Sequence, residues 1–299
     1  MSLRCACIDI GSNTTRLLVA EPGAGSSVLR DVAAERAFTR LGVGRAADGS
    51  ILPERIAAVA EVVAAQAAQA RAAGATALRA VATAAVRSAP NRAELCAAVE
   101  ARAGVRVEVI GTEEEARLAF AGAVGTLAAA PRPDARVAVV DVGGGSTELV
   151  CGTVAAGVGW MRSFPIGSGA LTERHVRGSC PTVAELDALR AEVAQSFAGL
   201  EPPEPGAAYA VGGSATSLGR LTGGRLHAAS LERALDALCS GPVDVVARRL
   251  ALHPDRARML PAGIVVLAEA ARTFAVPLRV AAGGLREGVI LAMWAQGAG

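Results

Sequence analysis

Short apolar runs of period two alternate along this chain with longer stretches of helical period, the pattern of an α/β protein. In the first half, Cys5–Ile10 and Thr15–Ala20 read as a hairpin and Leu29–Phe38 as a further strand. Pro53 suits a first helical turn, so an Ala-rich helix is expected from there to just before Gly74. Leu78–Ala82 and Val105–Ile110 read as strands, and Arg92–Ala103 and Thr112–Leu127 as helices. The run AAAPRPD at 128–134 interrupts both periodicities and is the expected hinge.

The second half restarts with strands at Arg136–Val142, Glu148–Thr153 and Gly159–Pro165. A helix is expected over Thr182–Leu200, a break at 201–205 (EPPEP), and a strand at Ala208–Val211. Helices at Ser214–Leu221, Ser230–Leu238 and Pro254–Phe274, a strand at Leu278–Ala282 and a helix at Leu285–Trp294 complete the reading. Both halves open on hairpin, strand and helix, which predicts an internal duplication with a cleft between the halves. The expected domains are 1–127 and 128–299, with the terminal segment 285–299 free to pack back on the first.

The two hairpins carry one device twice. Asp9–Val19 reads DIGSNTTRLLV and Asp141–Cys151 reads DVGGGSTELVC, so Asp9 meets Asp141, Gly11 meets Gly143 and Thr15 meets Thr147. A strand ending in Asp, a tight Gly/Ser/Thr turn and a returning strand gather amides and hydroxyls around a concavity suited to phosphate oxygens. Glycine is required where phosphate approaches too closely for a Cβ. Gly11, Ser12, Asn13 and Thr14 form the first candidate turn, and Gly143, Gly144, Gly145, Ser146 and Thr147 the second. Asp9 and Asp141 are placed to hold a hydrated Mg²⁺ or to orient water. The bland alternative is a pair of ordinary hairpin turns.

Two later loops, Gly212-Gly213-Ser214 and Gly283-Gly284, end a strand and open a helix whose first amides attract anions. Tight strand–helix packing would ask for the same glycines. In VIGTEEEARL, 109–118, Glu115 is a candidate general base, and Thr112-x-x-Glu115 is equally a capping box. Arg16 follows the first turn where Glu148 stands in the second, so the repeats carry opposite charges at equivalent places. A guanidinium there can neutralise phosphoryl oxygens, while Glu148 aids metal or water.

Composition narrows the partners. The 299 residues suit two cores, and 52% apolar with 3% aromatic residues describes interiors built from Ala, Val and Leu. All 30 basic residues are Arg against 28 acids, a net charge of +2 that offers no field for a nucleic-acid polymer. Six cysteines without a CxxC spacing read as reduced thiols in a cytoplasmic protein, and no apolar run suits a membrane span.

Asp9–Val19, VATAAVRSAPN (81–91), VIGTEEEARL (109–118), VVDVGGGSTELV (139–150), VGGSATSL (211–218) and GGLREGV (283–289) together resemble the exopolyphosphatase and guanosine pentaphosphate phosphohydrolase family. The resemblance runs in order through nearly the whole chain. It implies two ribonuclease-H-like domains of the actin, hexokinase and sugar-kinase superfamily, and Mg²⁺-dependent (or Mn²⁺-dependent) removal of a terminal phosphate. Polyphosphate or guanosine pentaphosphate is the implied substrate, and a homodimer is compatible with it. Carried over residue by residue, Glu115 is the base that activates water and Arg16 the cation after the first turn. Asp141 and Glu148 are the acids of the second turn, with Asp9 as a further metal candidate. Val280-Ala281-Ala282 departs from the resemblance, since similar proteins often carry Ser and Asp there. Longer relatives add a helical domain, so action on long chains is expected to be distributive. Two rival readings are a phosphotransferase of the same superfamily, acetate-kinase-like, and a non-catalytic sensor of polyphosphate or guanosine polyphosphates.

Overall fold

The computed structural model describes residues 3–23 and 28–297. They fall into two compact units, Met1–Ala130 with Gly283–Gly299, and Pro131–Ala282. The first unit contains β1 (Cys5–Ile10), β2 (Thr15–Pro22), β3 (Leu29–Ala37), α1 (Pro53–Ala72), β4 (Ala77–Ala82), α2 (Ala84–Arg87), α3 (Arg92–Ala103), β5 (Val107–Val109) and α4 (Thr112–Gly125). The second contains β6 (Arg136–Val142), β7 (Thr147–Thr153), β8 (Gly157–Phe164), α5 (Ser168–His175), α6 (Val183–Phe197), β9 (Ala207–Val211), α7 (Gly212–Thr222), β10 (Arg225–Leu226), α8 (Ala228–Leu238), α9 (Val243–Arg249), α10 (Pro254–Thr273) and β11 (Leu278–Val280). The last helix, α11 (Leu285–Gly297), belongs to the first unit, where it packs along α4.

The first sheet runs β3-β2-β1-β4-β5, with β1–β2 and β2–β3 antiparallel and β1–β4 and β4–β5 parallel. In the second, β8-β7-β6-β9-β11 repeats that order and those directions, and β10 adds one antiparallel edge strand. Third, second, first, fourth, fifth is the ribonuclease-H-like order, present in both units. Short helices α2, α5 and α9 and strand β10 are additions to the sequence reading. Each is too short for a period to be visible.

Strand parity decides which side chains meet. Successive residues of a strand point to opposite faces, and β1 is covered on both. Ala6, Ile8 and Ile10 pack in one core with Leu17, Val19 and the α1 and α3 residues Val59, Val63 and Leu95. Cys5 and Cys7 share the other core with Leu18, Ala20, Leu118 of α4 and Val289 of α11. Asp9 has the parity of Cys5 and Cys7, and Arg16 that of Leu18, so both belong to the face covered by α4 and α11. In the second sheet Ala138, Val140 and Val142 face one core with Leu149 and Cys151, which puts Asp141 and Glu148 together on the opposite face.

Candidate active site

Each hairpin turn is closed in the same way. The Gly11 amide donates to the Thr14 carbonyl at 3.0 Å, and the Gly143 amide to that of Ser146 at 3.0 Å. A Cβ on Gly11 would lie 3.1 Å from that Thr14 oxygen, and on Gly143 3.2 Å from the Ser146 oxygen, so both positions favour glycine. The turns are also braced alike. Ser12 and Asn13 carbonyls accept from the amides of Gly42 and Arg40, while Gly143 and Gly144 carbonyls accept from those of Ser168 and Ala170. Thr15 meets Thr39 at 3.0 Å and Thr147 donates to the Ile166 carbonyl at 2.5 Å, fixing the returning strand in each repeat. Gly167 lies so close under the second turn that a Cβ there would be 2.5 Å from the Gly144 carbonyl carbon.

Beyond the turns the repeats diverge in charge. Asp9 pairs with Arg16 across β1 and β2, and Asp141 with Glu148 across β6 and β7. In the first unit Asp9 Oδ1, Ser12 Oγ, Asn13 Nδ2 and Arg16 Nε are buried without a hydrogen-bond partner. A buried polar atom left unpaired is costly, so four of them around one turn describe a surface prepared for a ligand. Burial raises the Asp9 carboxyl above its usual value, against the opposing pull of Arg16 and Arg286. Burial, then repulsion from Arg286, push the Arg16 guanidinium down to about 10, which still leaves it cationic at neutral pH.

Arg286 and Glu287, at the start of α11, were quoted in a motif but given no role by the sequence reading. Arg286 donates to the Leu17 carbonyl at 3.1 Å, and Glu287 accepts from the Gly284 amide at 2.8 Å, capping α11. Gly283 and Gly284 therefore serve close packing. A Cβ on Gly283 would lie 2.6 Å from Thr126 Oγ1, and one on Gly122 of α4 only 1.9 Å from the Gly284 carbonyl oxygen.

Glu115 is 7% exposed, on the inner face of α4. The expected capping box does not form: Gly111 occupies the N-cap without a side-chain bond, and Thr112 is already helical. Glu115 is thus one position too far along the helix to reach back, and its carboxylate goes to Arg87 instead, Nη1 to Oε2 at 2.7 Å. The same Arg87 nitrogen donates to the Ile110 carbonyl at 2.9 Å. Burial raises the Glu115 carboxyl, while Arg87 pulls it back and Asp9 adds to the rise. Arg87 was not singled out from sequence, because nothing in a local pattern ties the end of the four-residue α2 to a helix 28 positions on.

In the second unit Glu148 is buried and accepts from Ser163 Oγ at 2.8 Å. Gly212 has φ +85°, and a Cβ there would lie 2.6 Å from Asp141 Oδ1, so the α7 entry is built against that carboxylate. A Cβ on Gly213 would lie 2.4 Å from Arg256 Nη2, a buried arginine near the start of α10 that the sequence pattern did not mark. Ser214 Oγ is buried and unpaired. Among the described residues no three His, Cys, Asp or Glu side chains gather into a metal cage. Mg²⁺ usually keeps several waters and takes one or two carboxylates plus substrate phosphates. The unpartnered Asp9 Oδ1 in the first unit, and the cross-strand neighbours Asp141 and Glu148 in the second, each fit that manner of binding.

The Ppx/GppA phosphatase family model matches residues 18–296. The chain belongs to the Ppx/GppA phosphatase family. Exopolyphosphatase 2 of Mycobacterium tuberculosis is 33% identical over 296 residues, covering 90% of each chain. Exopolyphosphatase 1 of Mycobacterium bovis is 30% identical over 309 residues, covering 97% of this chain and 88% of that one. The crystal structure of the Aquifex aeolicus member of the Ppx/GppA family superposes with a TM-score of 0.82 at 28% identity over 100% of both chains. As a Ppx/GppA protein, the chain is an enzyme that hydrolyses phosphoanhydride bonds, and it shares the fold of that Aquifex aeolicus structure. Among the described residues no helix is long and apolar enough to cross a membrane.

Proposed function

We propose that this enzyme releases terminal phosphate from inorganic polyphosphate, with conversion of guanosine pentaphosphate to the tetraphosphate as a further reaction, and that it depends on Mg²⁺ or Mn²⁺. The observation that carries the reading is the first turn, where Asp9, Ser12, Asn13 and Arg16 each bury an unpartnered polar atom beside the glycine. An anion with several acceptor oxygens would satisfy the hydroxyl, amide and guanidinium donors together.

Glu115 is the candidate base. Burial raises its pKa and so strengthens it as a base toward water, while Arg87 opposes that rise. Arg16 stabilises the negative charge spreading over the phosphoryl oxygens. Gly143, Gly144, Gly145, Ser146 and Thr147 hold phosphate through the second turn, and Gly212, Gly213 and Ser214 through the entry to α7. Asp9 in the first unit, and Asp141 and Glu148 in the second, are the carboxylates that would hold a divalent cation. Such a cation polarises phosphoryl oxygens and screens their charge.

The test measures phosphate release from polyphosphates of defined length and from guanosine pentaphosphate, with Mg²⁺, with Mn²⁺ and after chelation. The expected result is release from polyphosphate that chelation abolishes and Mg²⁺ restores. Binding without release would assign a sensor, and transfer only in the presence of an acceptor would assign a kinase.

A further inference from the structure

The second unit holds a recess of about 490 Å³ between α8, the second half of α10 and the short strand β10. Leu231 and Leu235 line it from one face of α8, and Ile264, Val265, Ala268 and Ala271 from one face of α10, at helical spacing in both. Alanine at 268 and 271 leaves open the volume that larger side chains would take. With Leu226, the two leucines of α8, Ile264 and Val265 are buried and make an apolar floor. Interiors are otherwise close-packed, and a recess of this size with apolar walls and a few placed polar groups is the ordinary form of a small-molecule site.

The recess is separate from the phosphate chemistry. Gly143 and Gly212 follow the C-terminal ends of the parallel strands β6 and β9, whereas Pro277 and Leu226 line the recess where β11 begins, at the opposite end of the same sheet. Its mouth is charged. Arg190 of α6 and Arg272 of α10, both exposed, come to it from different helices. Each is held by an acid one turn earlier on its own helix, Arg190 Nη1 donating to Asp187 Oδ1 at 3.0 Å and Arg272 Nη2 to Glu269 Oε2. A guanidinium has five N–H donors, and these bonds engage one nitrogen of each. His227 Nδ1 accepts from the Ser230 amide at 3.2 Å, which leaves Nε2 as the proton-bearing nitrogen. Glu232 is the one acid among the lining residues, so donors and positive charge prevail there. We propose that this recess binds a small aliphatic carboxylate, its chain on the apolar floor and its head group at the mouth with Arg190 and Arg272. A planar guanidinium matches a carboxylate bidentately, and each buried methylene adds to affinity.

The experiment titrates decanoate, below its micellar range and at fixed salt, into the whole protein by isothermal calorimetry. One site per chain should saturate. Butyrate, which lacks most of the chain, and decanol, which lacks the charge, should each bind more weakly by about tenfold or more. Ala268→Phe fills the recess and should abolish decanoate binding, with matching circular dichroism as the check that it is folded. Arg190→Ala and Arg272→Ala, at exposed positions, should each weaken decanoate by about tenfold, the loss of one charge-assisted contact, and they decide the matter should Ala268→Phe not fold. No saturable binding, binding that Ala268→Phe or the two arginine variants leave unchanged, or decanol bound as tightly as decanoate would overturn the proposal.

Discussion

Glu115 joins a buried carboxylate to one cation, Arg87, and each half of the pair has its own test. Glu115→Gln keeps the size and burial but cannot take a proton, so turnover should fall by about 10²–10⁴ while melting stays within a few degrees. Full turnover from a folded variant would remove Glu115 as the base. Arg87→Met retains an apolar stem and deletes the charge that lowers the Glu115 pKa. With burial then unopposed, the carboxyl titrates higher, and the acid limb of the kcat/KM profile should move to higher pH, activity being lost as pH falls through it. An unmoved limb would mean that another group titrates there. For Arg16, still cationic at neutral pH despite its burial, Arg16→Ala should lower kcat by up to about 10³ with a smaller change in KM, whereas Glu148→Gln should raise the Mg²⁺ concentration giving half-maximal rate. A change confined to KM in Arg16→Ala would leave the arginine a positioning role only.

Between elements, α4 and α11 of the first unit approach closely, and the approach is made by glycines. A Cβ on Gly288 would lie 1.9 Å from the Leu118 carbonyl oxygen, and Gly122 presses equally on Gly284. Backbone lies on both sides, so no side chain can move aside. Gly288→Ala should therefore cost at least about 3 kcal/mol, the upper end of ordinary overpacking, and lower activity too, because α11 carries Arg286 beside Asp9 and Arg16. Gly241→Ala, where a Cβ would meet nothing within 4 Å, should shift stability by no more than about 0.5 kcal/mol. Thermal melting of the two variants makes the comparison, and equal melting would refute the packing account. The glycines themselves were legible in GGLREGV, but their purpose was not. A strand followed by Gly-Gly and a helix serves anion binding and close packing equally well in one dimension, and only the partner helix distinguishes them. Thr112 and Glu115 show the same limit, since the capping spacing was present while Gly111 took the cap.

At the scale of the whole chain the duplication was legible, because the two hairpins repeat Asp, Gly and Thr at matched positions and long periodic segments reveal themselves locally. Arg87, Arg286 and Arg256 were not. Their partners lie far along the sequence and reach them only through strand order and helix packing. Charge balance is a property of the sequence itself and leads to the last expectation. A polyanion gripped along a basic track releases many counterions, so its affinity falls steeply with salt and keeps rising with chain length. Here 30 arginines face 28 acids for a net +2, and many are committed locally, such as Arg79 with Glu108, Arg102 with Glu61 and Arg117 with Glu114. The contacts proposed for phosphate are the two turns and the entry to α7. On the proposed activity, kcat/KM for polyphosphates should therefore rise over the first few phosphates and then level off. A site neutralising about three phosphates has a log–log salt slope near −2 on the single-strand relation, and that slope should be the same for short and long chains. Initial rates on chains of defined length at several salt concentrations supply both numbers. A slope that steepens as the substrate lengthens would place further arginines along the polymer and defeat the argument from charge.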